Sequence, residues 1–207
     1  MDSLIDKLCD DLEPVKCTRH PFACSSAWVL VSILVTIIFV WKMGTRHDLA
    51  TILIEPDFIF ELVLVTLTGL SAIYCTALLR VPNMRGQKWA LIVPLIIGGL
   101  FLIWKSIHLI LGHITMPHLD FHHCMSEGLI VAAMPAILMF IMALQGCTTH
   151  PIWMLVMNGL AVASVSYIAL RLTCSSEDLG HILYTHLLPF TIVGAGLGLL
   201  VHRIYRW

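Results

Sequence analysis

Charge is what this sequence has least of. Asp, Glu, Lys and Arg make up 12% of its 207 residues, against about 25% in an ordinary soluble domain. With 58% hydrophobic residues and a mean hydropathy of +0.90, that scarcity excludes a soluble globule. So much apolar surface cannot be hidden in one core of this size, and lipid has to solvate the rest. A basic balance is also missing. The formal net charge of -1 argues against a nucleic-acid-binding surface, and no direct nucleic-acid binding is expected. None of the seven cysteines forms a C-x-x-C pair, so the spacing of a zinc ribbon or finger is absent. The first sixteen residues, MDSLIDKLCDDLEPVK, lack the basic-then-apolar order of a secretory signal. They are acidic and read as a short cytoplasmic segment of the mature protein.

What is present is a series of apolar runs. A helix needs about 20 predominantly apolar residues to cross the hydrocarbon core. Six stretches reach that length: 26–43, 58–79, 88–108, 124–145, 151–172 and 181–203. The breaks are polar or turn-forming, with Glu55, Pro56 and Asp57 before the second run, and Pro82, Asn83 and Arg85 before the third. Backbone groups in lipid must be satisfied within the segment, which selects helices. The expected fold is therefore all-α, an integral membrane bundle of six transmembrane helices. Residues 1–25 form a cytoplasmic N-terminal segment and 26–207 the transmembrane domain. Gly159 with Ala163, and Gly194 with Gly198, are small-residue pairs suited to helix contact.

Orientation follows from Lys and Arg, which favour the cytoplasmic side. With the N-terminus inside, Lys7, Lys16, Arg19, Arg80, Arg85, Lys88, Arg203 and Arg206 are inner, while Lys42, Arg46, Lys105 and Arg171 are outer. Eight against four places both termini in the cytoplasm. Within the N-terminal segment, Leu4, Leu8, Leu12 and Val15 recur at helical spacing and make one apolar face. Pro14 ends or kinks that helix. So short a helix is marginal alone. It either rests on headgroups or the bundle, or serves as a helix-in-groove peptide for a soluble partner.

The same orientation sorts the cysteines. Cys9, Cys17, Cys24 and Cys147 are inner, and Cys75 lies inside the second run as a small apolar residue. Only Cys124 and Cys174 fall on the outer, oxidising side, where a disulfide is chemically allowed. His113, His118, Asp120, His122, His123 and Glu127 surround Cys124, and Glu177, Asp178, His181 and His186 follow Cys174. Thiolate with imidazole suits zinc, copper and other soft metals. His118, His122, His123, Glu127, Asp178 and His181 are the candidate ligands beside the two thiols; the bland reading is solvated interfacial histidine. Glu61 reads as a helix-positioning group within reach of water, and Lys105 as a cation that snorkels outward.

Several of these features, in this order along six spans, resemble the NrsF family, negative regulators of sigma F. The segment from Leu8 through Asp11, Leu12, Pro14 and Val15 resembles the family's L-x-x-D-L-x-P-V stretch. EPDFIFE at 55–61 resembles the entry to its second helix, and VPN at 81–83 its first inner turn. Cys124 matches the cysteine that opens helix four. CSSEDLGHILYTHLLPF at 174–190 resembles the C-P-x-D-S lead into the last helix, with Ser175 in place of the proline. The resemblance implies a non-enzymatic anti-sigma factor of the bacterial inner membrane. Its partner would be an extracytoplasmic-function (ECF) sigma factor, docked on Leu4, Leu8, Asp11, Leu12, Pro14 and Val15. Cys124 and Cys174 would sense a heavy-metal or oxidative signal; no cofactor is required, and a metal ion would act only as signal. The alternatives are a membrane thiol-disulfide oxidoreductase, which lacks its second exchanging cysteine pair here, or a metal- or haem-binding membrane protein.

Overall fold

A computed structural model describes residues 20–80, 88–111, 121–144, 148 and 150–190. No strand occurs among them. Five helices carry the architecture: α1 (Pro21–Met43), α2 (Pro56–Leu79), α3 (Ile92–Leu111), α4 (Phe121–Leu144) and α5 (Pro151–Thr173). Each contains a stretch long and apolar enough to span a bilayer. The sixth expected span, 181–203, is described only to residue 190. It begins with a short helix, α6 (Leu179–His181), which runs into a π-helical turn (Ile182–Leu187). The N-terminal residues 1–19, including Leu4, Leu8, Asp11, Leu12, Pro14 and Val15, lie outside the described residues, as do Gly194 and Gly198.

Proline and glycine punctuate the helices. Pro21, Pro56 and Pro151 each open one, where a missing N–H costs no intrahelical bond. At the end of α1, Gly44 takes φ +86° and its N–H donates to the Val40 carbonyl at 2.9 Å. A side chain there would be strained in that left-handed backbone. The following loop is fastened to α5 by the Arg46 N–H, which donates to the Leu172 carbonyl at 3.1 Å.

The helices α2 and α5 form the central pair, with α3 packed on α2, α4 on α5, and α1 touching α2, α4 and α5. The peripheral helices turn apolar faces outward: Ile96, Leu100, Ile103, Ile107 and Ile110 make a continuous exposed stripe along α3. Their spacing keeps one face toward lipid, which is a good solvent for it. The interior is sulfur-rich and aliphatic, with Met139, Met154, Met157, Ile73 and Leu79 almost wholly buried. Trp28 ties α1 to α4 by donating its indole N–H to the Pro135 carbonyl at 3.0 Å. Thr76 on α2 donates to Asn158 Oδ1 on α5 at 2.8 Å.

Contacts define two ends. At one, Arg80 reaches the Cys24 sulfur at 3.0 Å. At the other stand Arg46, Glu61, Lys105, Cys124, Arg171 and Cys174, joined by direct contacts. These are residues that charge counting assigns to the outer side, and the bundle gathers them together. The central pair closes tightly because Gly69 has no side chain: a Cβ there would stand 2.9 Å from Ser164 Cβ. Gly69→Ala should therefore part α2 from α5 and cost about 1–3 kcal/mol. Gly99→Ala, where nothing lies within 4 Å, should be neutral or stabilising. Thermal unfolding of the two variants in detergent checks the difference.

A candidate thiol–imidazole centre beside a buried ion cluster

Buried charge organises this end of the bundle. Glu61, one turn into α2, is only 2% exposed. Its carboxylate accepts from Lys105 Nζ at 2.7 Å, Arg171 Nε at 2.8 Å and the Tyr167 hydroxyl at 2.5 Å. Water does not reach it, and Lys105 does not snorkel: that ammonium turns inward and is 6% exposed. The reason is pairing. An isolated carboxylate in an apolar bundle is prohibitively costly, whereas one that faces two cations and a hydroxyl is compensated.

The cluster continues outward. Arg171 also donates to the Ser176 carbonyl at 3.3 Å and to Glu177 at 3.1 Å. Glu177 binds Arg46 at 2.7 Å, and Arg46 grips Asp48 through two 2.7 Å bonds. The Arg46 hydrogen bond holds the Asp48 carboxyl down at about 2, with burial opposing, so the pair persists at any pH above that value. Both guanidinium groups lie over the Phe58 ring. Three cations thus meet three carboxylates, and the cluster is neutral.

The 174–178 turn that carries Glu177 also carries Cys174. Cys174 ends α5, its N–H donating to the Leu170 carbonyl at 2.7 Å. Asp178 then caps α6, accepting from the Gly180 and His181 N–H groups. The π turn follows, and the Leu188 N–H bonds back five residues to the Leu183 carbonyl. This wider register matters: residues five apart diverge around an α-helix but nearly superimpose around a π turn. His181 and His186 accordingly face the same way, their ring centroids 5.3 Å apart.

Cys124, in the first turns of α4, faces them. Its sulfur is 3.7 Å from the Cys174 sulfur, which is itself 3.7 Å from His181 Nε2. With His186 these make four donor groups whose atoms all lie within 4.8 Å of one another. His186 is 0% exposed; it interacts with the Cys174 sulfur, yet neither of its ring nitrogens makes a well-formed hydrogen bond. Such an orphaned polar group costs on the order of 1–3 kcal/mol. The Cys124 thiol donates toward Cys174 and pulls that sulfur well below the usual thiol range, against the opposing effect of burial. Thiolate is the form that binds metals and attacks electrophiles.

Gly128 permits the approach. One turn along α4 from Cys124, a Cβ would collide with the Phe190 ring and would stand 2.8 Å from Leu170 Cδ1. The two chemistries touch through Tyr167, whose hydroxyl binds Glu61 while its ring meets the His186 ring edge-on at 6.2 Å.

Of the residues singled out from sequence, Cys124, Cys174 and His181 come together. Glu127 and Asp178 are described but stand outside the four-donor cluster. His118 lies outside the described residues, and the side chains of His122 and His123, in the first turn of α4, are likewise outside them. His186, which follows Cys174 in the sequence but is not among the candidate ligands read from it, joins them as the fourth donor. The ion cluster was missed as a unit. Its available signal was that a carboxylate and two cations fall within apolar spans, where charges seek partners.

A family model described as NrsF, negative regulator of sigma F, matches residues 8–207. No curated protein and no solved structure matches the chain.

Glu61→Ala should leave Lys105 and Arg171 buried without their carboxylate and destabilise the chain by about 3–5 kcal/mol. Tyr167→Phe removes a single charged hydrogen bond and should cost less, about 1.5–3 kcal/mol. Denaturant titration in detergent, followed by tryptophan fluorescence, ranks the two.

Proposed function

The chain belongs to the NrsF family of negative regulators of sigma F, and on that premise we propose that it is an anti-sigma factor of the bacterial inner membrane. Its partner is an ECF-type sigma factor, held at the cytoplasmic face by the N-terminal segment through Leu4, Leu8, Asp11, Leu12, Pro14 and Val15. Release follows a metal or oxidative signal sensed outside at Cys124 and Cys174. The observation that carries this reading is the 3.7 Å approach of those two sulfurs. Among seven cysteines, these are the two that charge counting puts outside, and they sit on different helices.

That separation gives the signal something to move. Cys124 belongs to α4, and Cys174 to the end of α5. A bond between the sulfurs, or a metal shared by them, alters how α4 sits against α5. The Trp28–Pro135 hydrogen bond couples α4 to α1, and α1 leads directly back to the N-terminal segment. A small shift of α4 therefore reaches the docking helix through one rigid neighbour, the kind of interhelical displacement that switches use. The ligand need only favour one packing over the other by its difference in affinity. The neutral ion cluster keeps α2, α3 and α5 fixed while α4 moves.

Deleting residues 1–16 should abolish co-purification with a co-expressed ECF-type sigma factor while the chain still inserts in the membrane; retained binding overturns the docking assignment. Replacing Cys124 and Cys174 by Ser should leave repression of a sigma-dependent reporter intact and remove its induction by metal or oxidant. An unchanged response would show that these thiols are not the sensor.

A further inference from the structure

The geometry points to a closed tetrahedral site for a d¹⁰ dication, Zn²⁺ in the first place, made by Cys124, Cys174, His181 and His186. It deepens the sensing role given to the cysteine pair, and rests on that role for its consequence though not for its existence.

Distances carry the assignment. Bonds of about 2.3 Å to sulfur and 2.0–2.1 Å to nitrogen place two sulfurs about 3.8 Å apart around a tetrahedral ion, and a sulfur and nitrogen about 3.6 Å apart. The Cys124–Cys174 and Cys174–His181 edges are both 3.7 Å. The remaining donors fall within 4.8 Å, so small side-chain rotations close the set. A disulfide would draw the sulfurs to about 2.0 Å and would leave the imidazoles without a purpose.

A second, independent observation is His186. Fully buried, with neither ring nitrogen in a well-formed hydrogen bond, it faces the sulfurs from within a π turn, a local irregularity that often marks a functional site. A metal bond satisfies one of those nitrogens.

Charge selects the ion. Two thiolates and two neutral imidazoles carry -2, which a dication cancels. The adjacent cluster of Asp48, Glu61, Glu177, Arg46, Lys105 and Arg171 is already neutral and offers no compensation. Cu⁺ would leave a buried net charge, which is disfavoured. Four protein donors also close the coordination sphere, as in structural rather than catalytic zinc sites. Both sulfurs bind as thiolates, any thiol proton leaving to solvent, and no electron is transferred.

The test uses the purified full chain in detergent, fully reduced, titrated with Co²⁺ as a spectroscopic stand-in and then with Zn²⁺. The expected result is one Co²⁺ per chain with the intense visible absorption of tetrahedral sulfur–nitrogen ligation, lost on adding Zn²⁺. His186→Ala and His181→Ala should each weaken binding more than about 100-fold, beyond what loss of a supporting group alone costs. His150→Ala, at the start of α5, should not. Because His186 is buried, Cys174→Ser serves as the near-isosteric variant: Zn²⁺ should raise the unfolding midpoint of the unsubstituted chain and leave that of Cys174→Ser unmoved. Oxidising the two cysteines to a disulfide should abolish binding, and reduction should restore it. Pale, octahedral Co²⁺, one metal per two chains, or affinity unaffected by both histidine substitutions would overturn the site. Tetrahedral binding with no release of the sigma factor would leave the site standing and sink the sensing role instead.

Discussion

One carboxylate sets the arrangement of this bundle. Glu61 enters the apolar interior on α2, and the cost of leaving it there alone exceeds anything the surrounding side chains could offset by packing. Lys105 on α3 and Arg171 on α5 must therefore come to its level. The heights of three helices relative to one another follow from that requirement, more strictly than from apolar contacts, which slide with little penalty in lipid. Arg171 then passes the constraint outward: its contacts with Ser176 and Glu177 shape the turn that holds Cys174. The position of a sulfur is decided by a carboxylate on another helix.

Two chemistries consequently occupy one end of the molecule without interfering. The ion cluster is neutral, with Arg46 Nη1 left without a hydrogen bond; the thiol–imidazole group is polar, compact and unsatisfied at His186. Tyr167 stands between them and belongs to both, by its hydroxyl to one and by its ring to the other. A stable frame beside an incomplete group is a favourable layout for a switch. The frame fixes one wall of the site, on α5, while α4 supplies the other wall.

Much of this was legible in the sequence, for reasons that particular residues make plain. The apolar runs located α1 to α5 because lipid tolerates few charges within a span. Counting Lys and Arg put Arg46, Lys105 and Arg171 on one side together with Cys124 and Cys174, and the structure does gather them at one end. What could not be read was direction. Lys105 near a helix end has a long stem that serves snorkelling or inward pairing equally well, and only the position of Glu61 on a neighbouring helix decides. His186 was hidden by periodicity itself. Its alignment with His181 depends on one extra residue in a turn, and no propensity in ILYTHL announces a π register. The close approaches at Gly69 and Gly128 were equally invisible, since each depends on what stands opposite.

The ion cluster also imposes an order in time. Lys105 follows Glu61 by 44 residues and Arg171 follows it by 110. At synthesis rates of about 5–20 residues per second, the carboxylate waits roughly 2–9 s for its first cation and roughly 6–22 s for its second. Until that first cation arrives, α2 is a span with an uncompensated anion near one end. It has to stay near the membrane interface or at the insertion machinery until α3 brings Lys105. The fifth helix then completes the cluster, because Arg171 adds the second cation and frames the turn that carries Cys174 in the same step.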